Sequence, residues 1–159
     1  MVAPNFAQPL SVQMIEKNQD QQRVEEFNAA RFKARWNQLV SRLTFQVRQL
    51  KDLNRVAKGY QHSGHAEVGV RTVPLANIVG SLGRSGDFDR TFMPQNDRTR
   101  TRWINIDRAV HQDIPLPPVE LYQVGDEYYV VDGHHRLSVS RAHGQQFVEA
   151  RVTKFDAPH

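Results

Sequence analysis

Apolar residues recur at Phe32, Trp36, Leu39, Leu43, Val47, Leu50 and Leu53, each three or four positions after the last, in an interval without glycine or proline between Pro9 and Gly59. That spacing places them on one face of an α-helix, and the Gln, Arg, Lys, Glu, Leu and Ala around them are good helix formers. The pattern predicts one long helix, or two shorter ones, over about residues 12–57. The apolar stripe needs a cover, which is either the domain that follows or a second copy of the chain in a coiled coil or bundle. A strict heptad is not sustained. This favours packing onto the chain's own domain, with a homodimer as an addition.

Downstream the period changes. Gly59 to Gly64 reads as a linker, and Ala66 to Val73 alternates as a strand that leads into Pro74-Leu75-Ala76-Asn77-Ile78-Val79. The stretch from Gly80 to Arg90 holds three glycines and a cluster of charges, the composition of a flexible loop that binds ligands. Trp103, Ile106 and Val110 share a helical face within Asp97 to Asp113, with Arg98, Arg100, Arg102 and Arg108 elsewhere on its surface. Pro115, Pro117 and Pro118 stop that helix. Val119 to Gln123 and Tyr128 to Val131 flank Gly125-Asp126 as a hairpin, a helix starts at Gly133, Gly144 caps it, and Phe147 to Val152 closes as a strand. The expected fold is α/β (α+β): a small mixed-sheet domain over residues 61–159, preceded by a helical extension over residues 1–60. Trp36 and Trp103 are expected in the core.

Composition narrows the setting. The 159 residues suffice for one domain with a real core, and 39% hydrophobic with 24% charged residues is ordinary for a globular protein. No stretch nears the roughly 18 consecutive apolar residues of a membrane span, and no signal peptide opens the chain, so a cytoplasmic protein without membrane contact is expected. The absence of cysteine removes disulfides, thiolate catalysis and cysteine-ligated metal. Residues 1–60 carry 10 basic against 5 acidic side chains, while residues 61–159 carry 11 against 12. The basic surplus lies in the N-terminal third, where it suits either a solvated helix face or a partner such as DNA.

The run from Val130 through Asp132-Gly133-His134-His135-Arg136 to Ala142 reads as a strand turning through glycine directly into a helix. The first amides of a helix have no intrahelical acceptor and sit at the positive end of its dipole, so a phosphate placed there gains donors and field together. Cationic side chains weaken an empty helix N-terminus, and a bound polyphosphate would account for His134, His135 and Arg136 in that first turn. A metal held by the histidines and a purely structural role for them are the competing readings. Adjacent histidines in a helix point about 100° apart and do not easily share one ion.

Together with the Pro-Leu-x-x-Ile-Val segment at 74–79, the Asp-Gly-His-His-Arg helix start resembles the ParB/sulfiredoxin superfamily over about residues 66–153. The resemblance implies a nucleotide held by its phosphates at a glycine-led helix N-terminus: CTP in partition proteins, ATP in sulfiredoxins, ADP in archaeal-type free serine kinases. The last group is similar to this chain in its motif. Gly133, His134, His135 and Arg136 would then contact phosphate, and Asp132 would lie beside the reactive end. Sulfiredoxins carry a Gly-Cys-His-Arg run, which places His134 where their cysteine stands and excludes sulfinic acid repair. Partition proteins carry Gly-Glu-Arg-Arg here and a later helix-turn-helix domain; this chain ends seven residues after Val152, so operator reading is not expected.

Within that frame, Arg136 would fork onto phosphate oxygens, and His134 or His135 would neutralise charge or donate a proton. Ser138 lies one turn on and could add a hydroxyl donor, and Arg84, set between Gly83 and Gly86, could reach a phosphate. Arg141 falls off that face and reads as a surface residue. Mg2+ would take Asp132 as ligand, with Asp87 and Asp89 as further carboxylates and as the base that a phosphotransferase needs. Three functions stand open. They are a nucleotide-dependent binding module whose N-terminal helix meets DNA or a protein, a small-molecule phosphotransferase or NTP hydrolase, and a metal-dependent nuclease.

Overall fold

The computed structural model describes residues 10–44, 50–56 and 64–156. In chain order it holds α1 (Leu10–Thr44), β1 (Lys51–Asp52), α2 (Leu53–Val56), β2 (His65–Pro74), β3 (Ile78–Ser81), α3 (Arg100–His111), β4 (Val119–Val124), β5 (Glu127–Asp132), α4 (His134–Ala142) and β6 (Phe147–Phe155), with short 3-10 turns at Leu75–Asn77 and Asp97–Thr99. The fold is the expected mixed α/β arrangement. The linker from Gly59 lies outside the described residues up to Gly64, as does Val47 of the apolar stripe, while Leu39 and Leu43 fall within α1. No helix among the described residues is long and apolar enough to cross a membrane.

Six strands form one sheet in the order β1-β3-β5-β4-β6-β2. The β4–β5 hairpin is its centre; β3 runs parallel to β5, β6 parallel to β4, and β2 closes the far edge antiparallel to β6. Alternation divides the sheet's faces. Val119, Leu121, Val130, Ala150 and Val152 point to the face that packs with Leu137 of α4 and Phe88 of the loop after β3, while Tyr129 and Val124 point to the other, beneath Leu53 of α2.

The predicted helical interval is broken near its end: α1 runs to Thr44 and α2 covers Leu53–Val56, but Lys51–Asp52 between them is a strand. Leu50 leaves the helical period because burial against the sheet is available to it, and Lys51–Asp52 pairs parallel to Gly80–Ser81 at the sheet edge. A side chain at 80 would strike the Lys51 carbonyl and the Tyr129 ring, so glycine is what lets β1 approach. The sheet and its core thus recruit residues from before position 61.

The helix α1 docks on the domain with a face other than the predicted stripe. Phe27, Ala30 and Ala34 are buried at spacings of three and four, and Phe27 meets Trp103 of α3 edge to face at 5.6 Å. Phe32 and Trp36 stack on each other at 6.5 Å on the outer side, 68% and 57% exposed. Trp103 occupies the core as expected; Trp36 does not, because the two alanines let α1 approach closely on its other face. That face also takes in two of the helix's cations. Arg23 is buried 3.8 Å from Asp107, and Arg31 pairs with Asp97 beside the Phe27 ring. Phe27→Ala should cost about 3–5 kcal/mol in urea unfolding, whereas Trp36→Ala should stay within about 0.5 kcal/mol of the parent.

Candidate functional site

The β5–α4 junction follows from one backbone conformation. Gly133 has φ +97°, a left-handed geometry that turns the strand into the helix within one residue, and a Cβ there would stand 2.6 Å from Val119 Cγ1. No side chain caps the helix and no acidic residue occupies its first turn. Its leading amides therefore face a cleft of about 350 Å3, whose floor is Asp132, Gly133, His134, His135 and Arg136 and whose walls include Leu82, Arg84, Arg102 and Ile106.

Both histidines are buried in that floor, 5% and 7% exposed, with Phe88 wedged between them. Its ring stacks on His134 at 6.0 Å and meets His135 edge-on at 5.3 Å. His134 Nε2 hydrogen-bonds the buried Ser81 Oγ at 2.6 Å, and Ser81 Oγ in turn accepts the Arg84 amide. Burial, followed by the Arg84 charge and then the neighbouring histidine, lowers the His134 pKa to about 4. Burial, then Arg84 and Arg102, does the same for His135, also to about 4. The cationic histidines expected from the sequence are neutral at pH 7. The cleft's positive charge comes from Arg84 and Arg102 instead.

Arg136 holds the cleft together from beneath. Its guanidinium donates to the carbonyls of Pro117 and Pro118, the latter at 3.0 Å, and to Asp132 Oδ2 at 2.6 Å. The proline-rich segment before β4 has carbonyls with no ladder partner, and the fork satisfies them. The fork expected to grip phosphate is thus occupied by protein acceptors. Asp132 remains largely exposed at the cleft mouth.

Other expected site residues are used elsewhere. Ser138 is completely buried and accepts the Trp103 indole N–H at 2.9 Å, tying α3 to α4; it does not line the cleft. Asp89 is buried and its Oδ1 accepts the Thr91 and Met93 amides and the Thr91 hydroxyl, a cap that fixes the turn through Phe92 at φ +60°. Its Oδ2 is buried without a hydrogen-bond partner, and Asp89 does not line the cleft. Asp87 stands outside the lining, accepting from Asn96 at 3.0 Å, with Arg84 Nε at 3.9 Å and Arg98 at 3.5 Å. Within the glycine-rich loop Ser81, Phe88 and Asp89 are buried, whereas Gly83, Arg84, Gly86 and Arg90 are exposed. Arg141 is half-buried, donating to the Leu75 and Ile78 carbonyls and lying over the Phe92 ring. It is not a surface residue.

Sequence reasoning missed Arg102 and Phe88. Arg102 and Ile106 are four apart and share one face of α3, a spacing that could have marked them as a wall had the cleft been known. Nothing local marks Phe88, which reaches the histidines only through the folding of its loop. Among the described residues, the one group of three or more metal-ligating side chains lies away from this cleft, so His134 and His135 belong to no such cluster.

No protein-family model matches the chain, and no curated protein does. Among solved structures, a crystal structure of sulfiredoxin from Arabidopsis thaliana is similar over 52% of this chain and 82% of that one, at 17% identity and a TM-score of 0.38. A likeness that loose assigns no role to any residue.

Two outcomes test the geometry. Between about pH 6.5 and 4 the unfolded chain binds more protons than the folded one at His134 and His135, so stability should be greatest above pH 6.5 and fall as pH drops through this window. Each histidine contributes at most ~1.4 kcal/mol per pH unit. Denaturation at several pH values should give a shallower fall for His134→Gln, and an equal fall would remove His134 from the account. Gly133→Ala should lose about 1–3 kcal/mol from backbone strain alone, with more from the Val119 clash, read as a lowered urea midpoint.

Proposed function

We propose that the chain is a ParB/sulfiredoxin-type module that binds the phosphates of a nucleotide, CTP or ATP/ADP, at the N-terminus of α4. The observation that carries this reading is an uncapped helix start opening into a cleft flanked by Arg84 and Arg102, with both first-turn histidines neutral and able to donate or accept. Arg84 and Arg102 take the gripping role, and Arg136 shapes the floor. Neutral imidazoles let a polyphosphate enter without first neutralising buried charge. A cleft of about 350 Å3 takes the phosphates and leaves the base at its open end. Mg2+ fits Asp132, which is exposed at the mouth and would share the ion with phosphate oxygens and water.

The phosphotransferase and hydrolase readings need a carboxylate at the transferred group. Asp132 is the carboxylate that lines the cleft; Asp89 is engaged in its own turn and Asp87 stands aside. A nuclease would want several carboxylates on its metal. The binding module is favoured over both. The response to nucleotide falls to α1, whose exposed Phe32–Trp36 pair suits a protein partner, a second copy of the chain included.

A thermal-shift panel of CTP, ATP, ADP, GTP and pyrophosphate with Mg2+ tests the reading. One nucleotide at 100 times its Kd should stabilise the protein by about 2.7 kcal/mol. The shift should vanish in Arg84→Ala and Arg102→Ala, whose unliganded stability stays close to the parent's. No shift with any nucleotide overturns the proposal.

A further inference from the structure

A second constellation lies on the far side of α3 from the cleft. Glu26 of α1, Asp107 and His111 of α3, and His143 just beyond α4 each offer a ligand atom, all within 4.8 Å of one another. We propose that these four side chains bind one divalent transition-metal ion of the Zn2+ type, which clips α1 to the α3–α4 pair.

Burial supplies the first argument. Asp107 is completely buried, yet its Oδ2 accepts no hydrogen bond, and Glu26 Oε2 is likewise buried without a partner. Buried carboxylate oxygens without hydrogen bonds are costly; Arg23 Nε at 3.8 Å meets Asp107 Oδ2 only as an ion pair, and a cation between the two carboxylates satisfies both oxygens. Asp107 Oδ2 faces His111 Nδ1 at 3.5 Å, and Oδ1 accepts from His143 Nε2 at 2.6 Å. The two imidazole rings meet edge to face at 5.2 Å. Coordination replaces the His143 hydrogen bond, leaving Nε2 and Oδ1 facing the ion together. The ion also displaces the bond from His111 Nδ1 to the Asp107 carbonyl if Nδ1 is the ligand atom, and keeps it if the ring turns to offer Nε2.

Donor type sets the class of metal. Two imidazole nitrogens and two carboxylate oxygens suit Zn2+ and its transition-metal neighbours, whereas Mg2+ and Ca2+ select oxygen alone. The charges around the site agree with a divalent ion held by ligand type rather than by field. Arg23 Nε, 3.8 Å from Asp107 Oδ2, offsets one carboxylate, and Arg108 is occupied with Asp20 at 2.7 Å. A cavity of about 340 Å3 is bordered by two of the four side chains, Glu26 and His143, and by Lys33. Because the ligands come from α1, α3 and the residue that ends α4, an ion here fixes the very contact through which α1 docks.

The test uses the full chain, stripped with chelator, and titrated calorimetrically with Zn2+. One ion per chain should bind, Co2+ in its place should show the visible absorption of a tetrahedral site, and hydrogen exchange across residues 20–36 should slow. His111→Ala and His143→Ala, both at exposed positions, should each weaken binding about 10- to 100-fold or more and abolish the slowing. His134→Ala should leave Zn2+ binding unchanged. The proposal is overturned if Zn2+ fails to bind, or if the double His111→Ala/His143→Ala variant binds it as tightly as the parent.

Discussion

The left-handed turn at Gly133 is the constraint on which the cleft depends. It reverses the chain between the central strand and α4 with no intervening loop, so the helix starts directly against Val119 on the neighbouring strand. A side chain at that point has no space and the wrong backbone preference. Once the turn is set, the first-turn residues have no freedom. His134 and His135 go under the sheet's end, and Arg136 swings back to the carbonyls of Pro117 and Pro118 and to Asp132.

Burial then decides the chemistry. A histidine pair at a helix start reads as two cations, yet Phe88 and the surrounding walls remove the water that would stabilise their charge. The arginines exchange roles for a similar reason. Arg136 is nearest the phosphate position in sequence but is claimed by carbonyls that the prolines leave unpaired, while Arg84 and Arg102 arrive at the walls from distant segments. The site's charge is therefore contributed from outside the motif.

The N-terminal helix follows a parallel logic. Two stripes compete on it, and the narrower wins: Phe27 with Ala30 and Ala34 packs closely, where a row containing Phe32 and Trp36 would hold the helix further off. Close approach brings Arg23 and Glu26 against Asp107, and with them a buried polar cluster that the apolar pattern gave no hint of.

Read alone, the amino-acid order established the mixed α/β class, the β4–β5 hairpin, the strand-glycine-helix junction and both flanking strands. These are local: alternation, glycine and proline placement, and capping act over a few residues. It also pointed to the cleft's floor, since Asp132 through Arg136 are consecutive. Tertiary structure alone decided that Leu50 to Asp52 leave the helix for the sheet edge, that Ser138 and Asp89 serve packing and a turn, that the histidines are neutral, and that Arg102 lines the wall. Each of those depends on what a residue meets across the fold. Desolvation and hydrogen-bond partners are set by neighbours far away in the chain, and no spacing along it carries that information.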